Sequence, residues 1–293
     1  MKKVRLLSLL LVVMLFAACG TTQTVPLTGR QHRIGVSDEE VLSLSNQEYT
    51  KYMQTAKKST NAANTAMVER VGKRLANAVE NYLRNNGYAS EIKNYSWEFN
   101  LVQDKNVNAF CMPGGKIVVY EGLLPYTQTE DALAIVLGHE IAHAVAKHSA
   151  EQLTKQQNQQ IGTNVLGNVL NATVGSNVGT IASTVAGQYF SFRNLKYSRD
   201  NESEADHMGL IFAAMAGYNP EVAIPFWKRM AGASSGAQND ALSNFFSDHP
   251  SDAKRIVALE KEMPEALKYY QAVKGTAKTS VSATKSTSKK SRR

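Results

Sequence analysis

Two periods of apolar residues run along this chain, and the switches between them outline its elements. From Asn61 to Asn86, Val68, Val71, Leu75, Val79 and Tyr82 recur three or four residues apart, which predicts one long amphipathic helix. Ser37-Asp38-Glu39-Glu40 reads as a capping box that opens an earlier helix to about Tyr52. Residues 95–102 alternate instead, with Trp97, Phe99 and Leu101 on one face, as a half-buried strand does. Ala132 to Leu137 is a continuous apolar run resumed at Ala144-Val145-Ala146, a buried helix with Thr129 as its cap and Glu130 and Asp131 in its first turn. A second apolar run, Met208 to Phe212, follows an acidic stretch, and Asn219-Pro220 opens a further helix carrying Val222, Ile224, Phe226 and Met230. Helices dominate the remainder to Val273. The pattern predicts an α+β domain over 37–273, mostly helical, large enough for one substantial core. Ile161 to Gly187 stands apart, with Gly162, Gly167, Gly175, Gly179 and Gly187 among few charges. It reads either as packed helices joined by a glycine-rich turn or as a mobile flap or contact surface.

Chemistry enters inside the buried helix, where His139-Glu140-Ile141-Ala142-His143 has the form H-E-x-x-H. Residues four apart share a helix face, so both imidazoles can reach one zinc ion. Glu140 lies about a hundred degrees round from His139. That places it beside the metal rather than on it, where a carboxylate can take a proton from the attacking water. A motif this short also arises by chance, as two histidines satisfied in a core, and a third ligand is needed to decide. Ala146 and Ser149 stand where a metzincin needs glycine and histidine, which excludes that class. His148, five residues past His143, is off the ligand face and reads as a polar residue near the helix end. Downstream, Glu202-Ser203-Glu204-Ala205-Asp206 has the form E-x-x-x-D, with Glu202 and Asp206 on one helix face. Glu202 is expected as third ligand. Asp206 is expected to accept the second ring N–H of a ligating histidine, His139. Glu204 points elsewhere and reads as ordinary.

These residues are similar to the gluzincins of metallopeptidase family forty-eight, which include the HtpX heat-shock protease, the CAAX prenyl endopeptidases and the BepA-like and LoiP-like periplasmic lipoprotein proteases. Two further segments carry the resemblance, in the family's order across about residues 60 to 260. Asn108-Ala109-Phe110-Cys111-Met112-Pro113-Gly114-Gly115, leading into Lys116 to Tyr120, resembles the family's turn and strand. His249-Pro250 with Arg255 resembles its H-P-x-x-x-x-R. The resemblance implies a minigluzincin-like zincin fold with a small sheet whose edge strand lines the cleft, and one zinc ion per chain. It implies that Asn108, Ala109, Gly115, Lys116, Ile117 and Val118 meet an extended substrate, with the Lys116–Tyr120 backbone pairing to it as an added strand. His249 is either a regulatory fourth ligand or a helix-start residue before Pro250. Arg255 neutralises an acidic group near the site or fixes its loop. The function implied is a zinc-dependent endopeptidase of the bacterial cell envelope degrading misfolded or unassembled proteins. The alternative is a periplasmic chaperone or assembly factor for outer-membrane proteins with latent proteolysis.

Charge and the leader then set the context. Residues 1–18 combine Lys2, Lys3 and Arg5 with the apolar stretch from Leu6 to Phe16, too short to span a bilayer, and read as a secretion signal. Phe16-Ala17-Ala18-Cys19 resembles a lipobox, so Cys19 is expected to carry a lipid, with 19–36 as a linker from the periplasmic face of the outer membrane. Cys111 is then the one remaining thiol, which excludes an intramolecular disulfide. The formal net charge of +8 is an end effect. Three basic residues of the leader and seven from Lys274 onward leave 23 basic against 25 acidic in between, which argues against nucleic acid as a partner. The expected partners are unfolded or misfolded envelope polypeptides, the membrane through the anchor, and the outer-membrane protein assembly machinery. The tail 274–293, rich in Lys, Ser and Thr, is expected to be disordered, either passive or touching anionic lipid.

Overall fold

The protein is seen as a computed structural model that describes residues 20–159, 191–193, 195–235, 242, 245, 249 and 253–290. The leader, Cys19 and the glycine-rich stretch 161–187 lie outside the described residues. The expected linker is replaced by a docked hairpin. Strands β1 (Thr21–Thr24) and β2 (Gln31–Ile34) pair antiparallel, Thr21 opposite Ile34 and Thr24 opposite Gln31. Val25, Ile34 and Val36 are buried, and Arg30 reaches two carboxylates of the domain. The short polar strands hide this in the sequence, because their anchoring partners are more than a hundred residues away.

Helix α1 (Asp38–Thr55) starts at Ser37, whose side chain accepts the Glu40 N–H. Helix α2 (Ala62–Asn85) starts at Asn61 and buries Val68, Val71, Leu75, Val79 and Leu83, with Tyr82 half-buried at the margin. Its Gly72 lets the Phe99 ring lie where a Cβ would stand 2.1 Å away, which seats the helix on the sheet. The sheet has strands β3 (Glu98–Val102), β4 (Ala109–Met112) and β5 (Lys116–Tyr120) in the order β3-β5-β4. β5 is parallel to β3, Phe99 opposite Ile117, and antiparallel to β4, Cys111 opposite Ile117. The turn between β4 and β5 needs left-handed backbone at Gly114 and Gly115 (φ 88° and 81°), and Trp97 fills the space a side chain on Gly115 would take.

This order corrects the expected substrate strand. Lys116, Ile117 and Val118 lie in the central strand, with their backbone groups committed to neighbours on both sides. The edge strands are β3, whose outer side is met at Leu101 and Val102 by the 57–59 segment, and β4, which packs beside the metal-motif helix.

That helix, α3 (Glu130–Val145), is capped by Thr129 and buried at every position from Ala132 to His143. After Ala146 and a left-handed Lys147 (φ 54°), a second helical stretch runs over 148–159. Helix α4 (Arg199–Met215) begins in a reciprocal capping box between Ser198 and Asn201. It crosses α3 where Gly138 meets Gly209, a contact so close that a Cβ on Gly209 would lie 2.5 Å from the His139 nitrogen. Helix α5 (Ala223–Ser235) follows a turn over Pro220–Val222. Helix α6 (Ala253–Lys290) closes the domain and continues through most of the stretch whose composition predicts a disordered tail. Among the described residues, no helix is long and apolar enough to cross a membrane.

Candidate metal centre

The crossing of α3 and α4 brings four side chains to one point. Donor atoms of His139, His143, Glu202 and His249 lie within 4.8 Å of one another, and all four residues are buried. The two Nε2 atoms of His139 and His143 are 3.0 Å apart. Glu202 lies 3.4 Å from each of them through separate oxygens. His249 adds its Nδ1 at 3.3 Å from His139 Nε2 and from Glu202.

Hydrogen bonding outside the cluster shows what these atoms are. Asp206 accepts from His139 Nδ1 at 2.9 Å. Arg255 donates to the same Asp206 oxygen at 2.5 Å while its guanidinium lies 3.6 Å over the Trp227 ring. Glu204 takes a hydrogen from His148 Nε2 at 2.9 Å, and His148 Nδ1 lies 2.9 Å from His143 Nδ1. A carboxylate can only accept, so His148 carries its proton on Nε2 and its Nδ1 accepts from His143. With each ring neutral, the ligand-face nitrogens of His139 and His143 are thereby lone pairs facing each other and a carboxylate. Lone pairs that converge at about 3.0 to 3.4 Å in a dry site repel unless a cation lies between them. Those spacings are also about the edge of a tetrahedron with metal–ligand bonds of roughly 2.0–2.1 Å. The residues therefore fit zinc.

The electrostatics agree. Burial would drive Glu202 towards its neutral form, but His249, His139 and His143 outweigh it and hold the carboxyl well below the usual range. Its place in the first turn of α4 adds the favourable end of a helix dipole. Burial likewise opposes charge on His139, yet Asp206 and Glu202 lift it to about 9, so the pocket draws positive charge to this ring, a proton and a metal ion competing for its Nε2. Burial pushes His143 well below its ordinary value and lowers His148, keeping both neutral. Glu140 sits beside the cluster with its Oε1 3.5 Å from His249 Nε2. Burial raises its pKa despite His249 and His139, the direction that makes a carboxylate a better proton acceptor.

Sequence-named residues thus divide in three. His139, Glu140, His143, Glu202, Asp206, His249 and Arg255 come together. On the substrate side, β4 contributes Ala109 and the buried Cys111, whose backbone N–H faces Glu140. Lys116 lies in the inner strand, its ammonium bonded to the Ser96 carbonyl and to Glu98. Asn108 bonds its own chain instead, its side chain accepting from the Ala109 N–H. Three residues were missed. His148 and Glu204, read as ordinary, are buried and support His143 from behind. Tyr197 stacks on the His143 ring with centroids 4.0 Å apart and its hydroxyl 2.9 Å from Ser149. His148 lies past the left-handed Lys147, in the next helical stretch, so spacing along α3 does not locate it and nothing in its own segment marks it.

A helix-borne H-E-x-x-H, a glutamate from a crossing helix and a buried base define the catalytic core of a zinc metallopeptidase. The chain matches the model described as Peptidase family M48 over residues 62–263, and it belongs to that family. It is 37% identical to the mitochondrial metalloendopeptidase OMA1 of Schizosaccharomyces pombe over 60% of this chain and 50% of that protein. It is 39% identical to the Arabidopsis thaliana protein of the same name, over 63% and 36% respectively. A putative beta-barrel assembly-enhancing protease of Vibrio cholerae is 31% identical over 49% of this chain and 30% of that protein. The chain spans about half or less of the length of these relatives. The matches overturn one expectation. Relatives sharing the larger part of this chain are mitochondrial enzymes, so the assignment to the bacterial periplasm and outer membrane, drawn from the leader and Cys19, does not stand.

Proposed function

We propose that this chain is a zinc-dependent endopeptidase that takes extended, unfolded polypeptide along β4. The observation that carries this reading is the convergence of the Nε2 atoms of His139 and His143 and the Glu202 carboxylate beside a buried Glu140 Oε1 that has no hydrogen-bond partner among the described residues. Zinc bound there supplies a Lewis acid that lowers the pKa of water and polarises a carbonyl. Glu140 takes the proton released as water attacks and passes it to the leaving amine. Asp206 and Arg255 hold His139, and the edge of β4 offers backbone groups to align the scissile bond, as strand addition requires. A substrate that pairs through its backbone must be extended, which favours misfolded or unassembled proteins.

A second reading draws support from His249. With its Nδ1 at the fourth corner of the donor set, it closes the position that hydrolysis needs open. Such a chain would hold unfolded polypeptides as a chaperone or assembly factor, with proteolysis latent until His249 leaves. The relatives' names, a metalloendopeptidase and a beta-barrel assembly-enhancing protease, accommodate both readings. The test is zinc content and cleavage of casein and of an unfolded porin by the purified full chain, against Glu140→Gln. Zinc-dependent cleavage abolished in that variant supports the endopeptidase. Binding of unfolded porin with no cleavage by either protein supports the holding role. Absence of zinc from the wild-type protein defeats both.

A further inference from the structure

The N-terminal hairpin contacts the domain in a way that a tether would not. Thr28 donates its hydroxyl to one oxygen of Glu204 at 2.6 Å, and Arg30 Nε donates to the other at 2.8 Å. The same guanidinium donates to Glu151 at 2.9 Å through its second nitrogen. Arg30 thus clamps the carboxylate behind α4 to the helical stretch that follows α3. Glu204 in turn accepts from His148 Nε2, and His148 Nδ1 meets His143 Nδ1, both at 2.9 Å. The path from the hairpin to a metal donor therefore contains two side chains.

We infer that Thr28 and Arg30 are positioning residues of the metal centre, setting the tautomer and orientation of His143 through Glu204 and His148. This rests on the reading of His139, His143 and Glu202 as zinc ligands. The logic is one of donors and acceptors. Glu204 already accepts from Thr28 and Arg30, so it stays ionised and fixed, and it can only accept from His148. Neutral His148 then has a lone pair on Nδ1 alone, and that lone pair holds the His143 proton on Nδ1. His143 Nε2 is left bare towards the metal. If Arg30 is lost, Glu204 is free to turn, His148 can reverse its tautomer, and a His148 Nδ1–H would face the His143 Nδ1–H. His143 would then have to move its proton to the ligand nitrogen or rotate, against the Tyr197 ring stacked on it. The arrangement parallels the other ligand, where Arg255 fixes Asp206 and Asp206 fixes His139 with one link fewer.

The experiment is a double-mutant cycle in zinc affinity on the full chain, with Glu140→Gln present throughout to prevent self-cleavage. Arg30→Ala is measured with His148 intact and with His148→Asn, which keeps an acceptor near Nδ1 but cannot reach Glu204. Arg30→Ala should weaken zinc about tenfold in the first case, the low end of effects seen for outer partners of metal ligands. With His148→Asn it should have an effect under about twofold, because the link is already cut. The visible absorption of the cobalt-loaded protein should shift in Arg30→Ala and return part-way in Arg30→Lys. A hairpin that only adds stability would lower the unfolding temperature and give the same zinc cost in both backgrounds; that result, or wild-type affinity in Arg30→Ala, overturns the inference. If His148→Asn does not fold, Glu204→Gln takes its place in the cycle. Failure of the parent protein itself to bind zinc would strike the metal reading and not this link.

Discussion

Gly209 of α4 lies against the backbone of His139 in α3, with no room for a methyl group between them. This approach, mirrored by Gly138 against the Gly209 carbonyl, lets the two helices cross closely enough for Asp206 and Glu202 to reach the two ring nitrogens of one imidazole. Gly209→Ala would place a Cβ 2.5 Å from the His139 nitrogen. Overpacking of this kind costs about 1–3 kcal/mol. The variant should melt several degrees lower than wild type and bind zinc more weakly. An unchanged melting temperature and unchanged zinc affinity would show that the crossing tolerates separation.

The donor set makes a sharper prediction about the metal. His139→Ala, His143→Ala and Glu202→Ala should each lose stoichiometric zinc, because each removes one of the three donors that α3 and α4 bring to a buried site. Glu140→Gln should keep zinc and lose hydrolysis, because Glu140 stands beside the donors. Metal analysis after dialysis decides the matter. Glu202→Ala retaining zinc at wild-type affinity would sink the ligand assignment.

His249 is expected to restrain the enzyme. Its Nδ1 faces the donor cluster and its Nε2 lies 3.5 Å from Glu140, so it occupies both the fourth corner and the approach to the base. His249→Ala should bind zinc somewhat more weakly and cleave unfolded substrate, or itself, faster. Timed cleavage with Glu140→Gln as the inactive control is the measurement. A slower His249→Ala with full zinc content would mean that this histidine assists the reaction, and the latch would be ruled out.

The docking of the hairpin should depend on acid in a defined direction. The hydrogen bond from His32 is the largest influence holding the Glu151 carboxyl well below its usual range; Arg30 and Lys155 add to it, and burial opposes them. A depressed folded-state pKa gives stability that is present above the unfolded value of about 4.3 and is lost as pH falls through the lower folded value. Glu151→Gln should therefore cost roughly 1–2 kcal/mol at pH 7, as loss of a charged hydrogen-bond partner does. The gap between the two proteins should shrink below about pH 4. Urea titrations of metal-free protein across that range test it, and a gap that widened in acid would contradict the assignment.

What the sequence determined by itself was local. Helical spacing placed His139 and His143 on one face, Glu140 beside them, and Glu202 with Asp206 on another helix, because a 3.6-residue period is a property of a single segment. Caps at Ser37 and Thr129 were likewise visible, since a cap bonds only its own helix. Only the tertiary structure decided which strand is enclosed and which lie at the edges. β5 and β4 are similar apolar runs, and the order β3-β5-β4 comes from pairing β5 with a strand fourteen residues upstream of it, Phe99 to Ile117 being eighteen apart. The same holds for the support of the ligands. His148 and Glu204 are each unremarkable in their own segments, and they acquire a role because folding brings them together and brings Thr28 and Arg30 onto Glu204 from about 175 residues away. A carboxylate's partner across such a distance is set by how α3, α4 and the hairpin pack, and no local period encodes that packing.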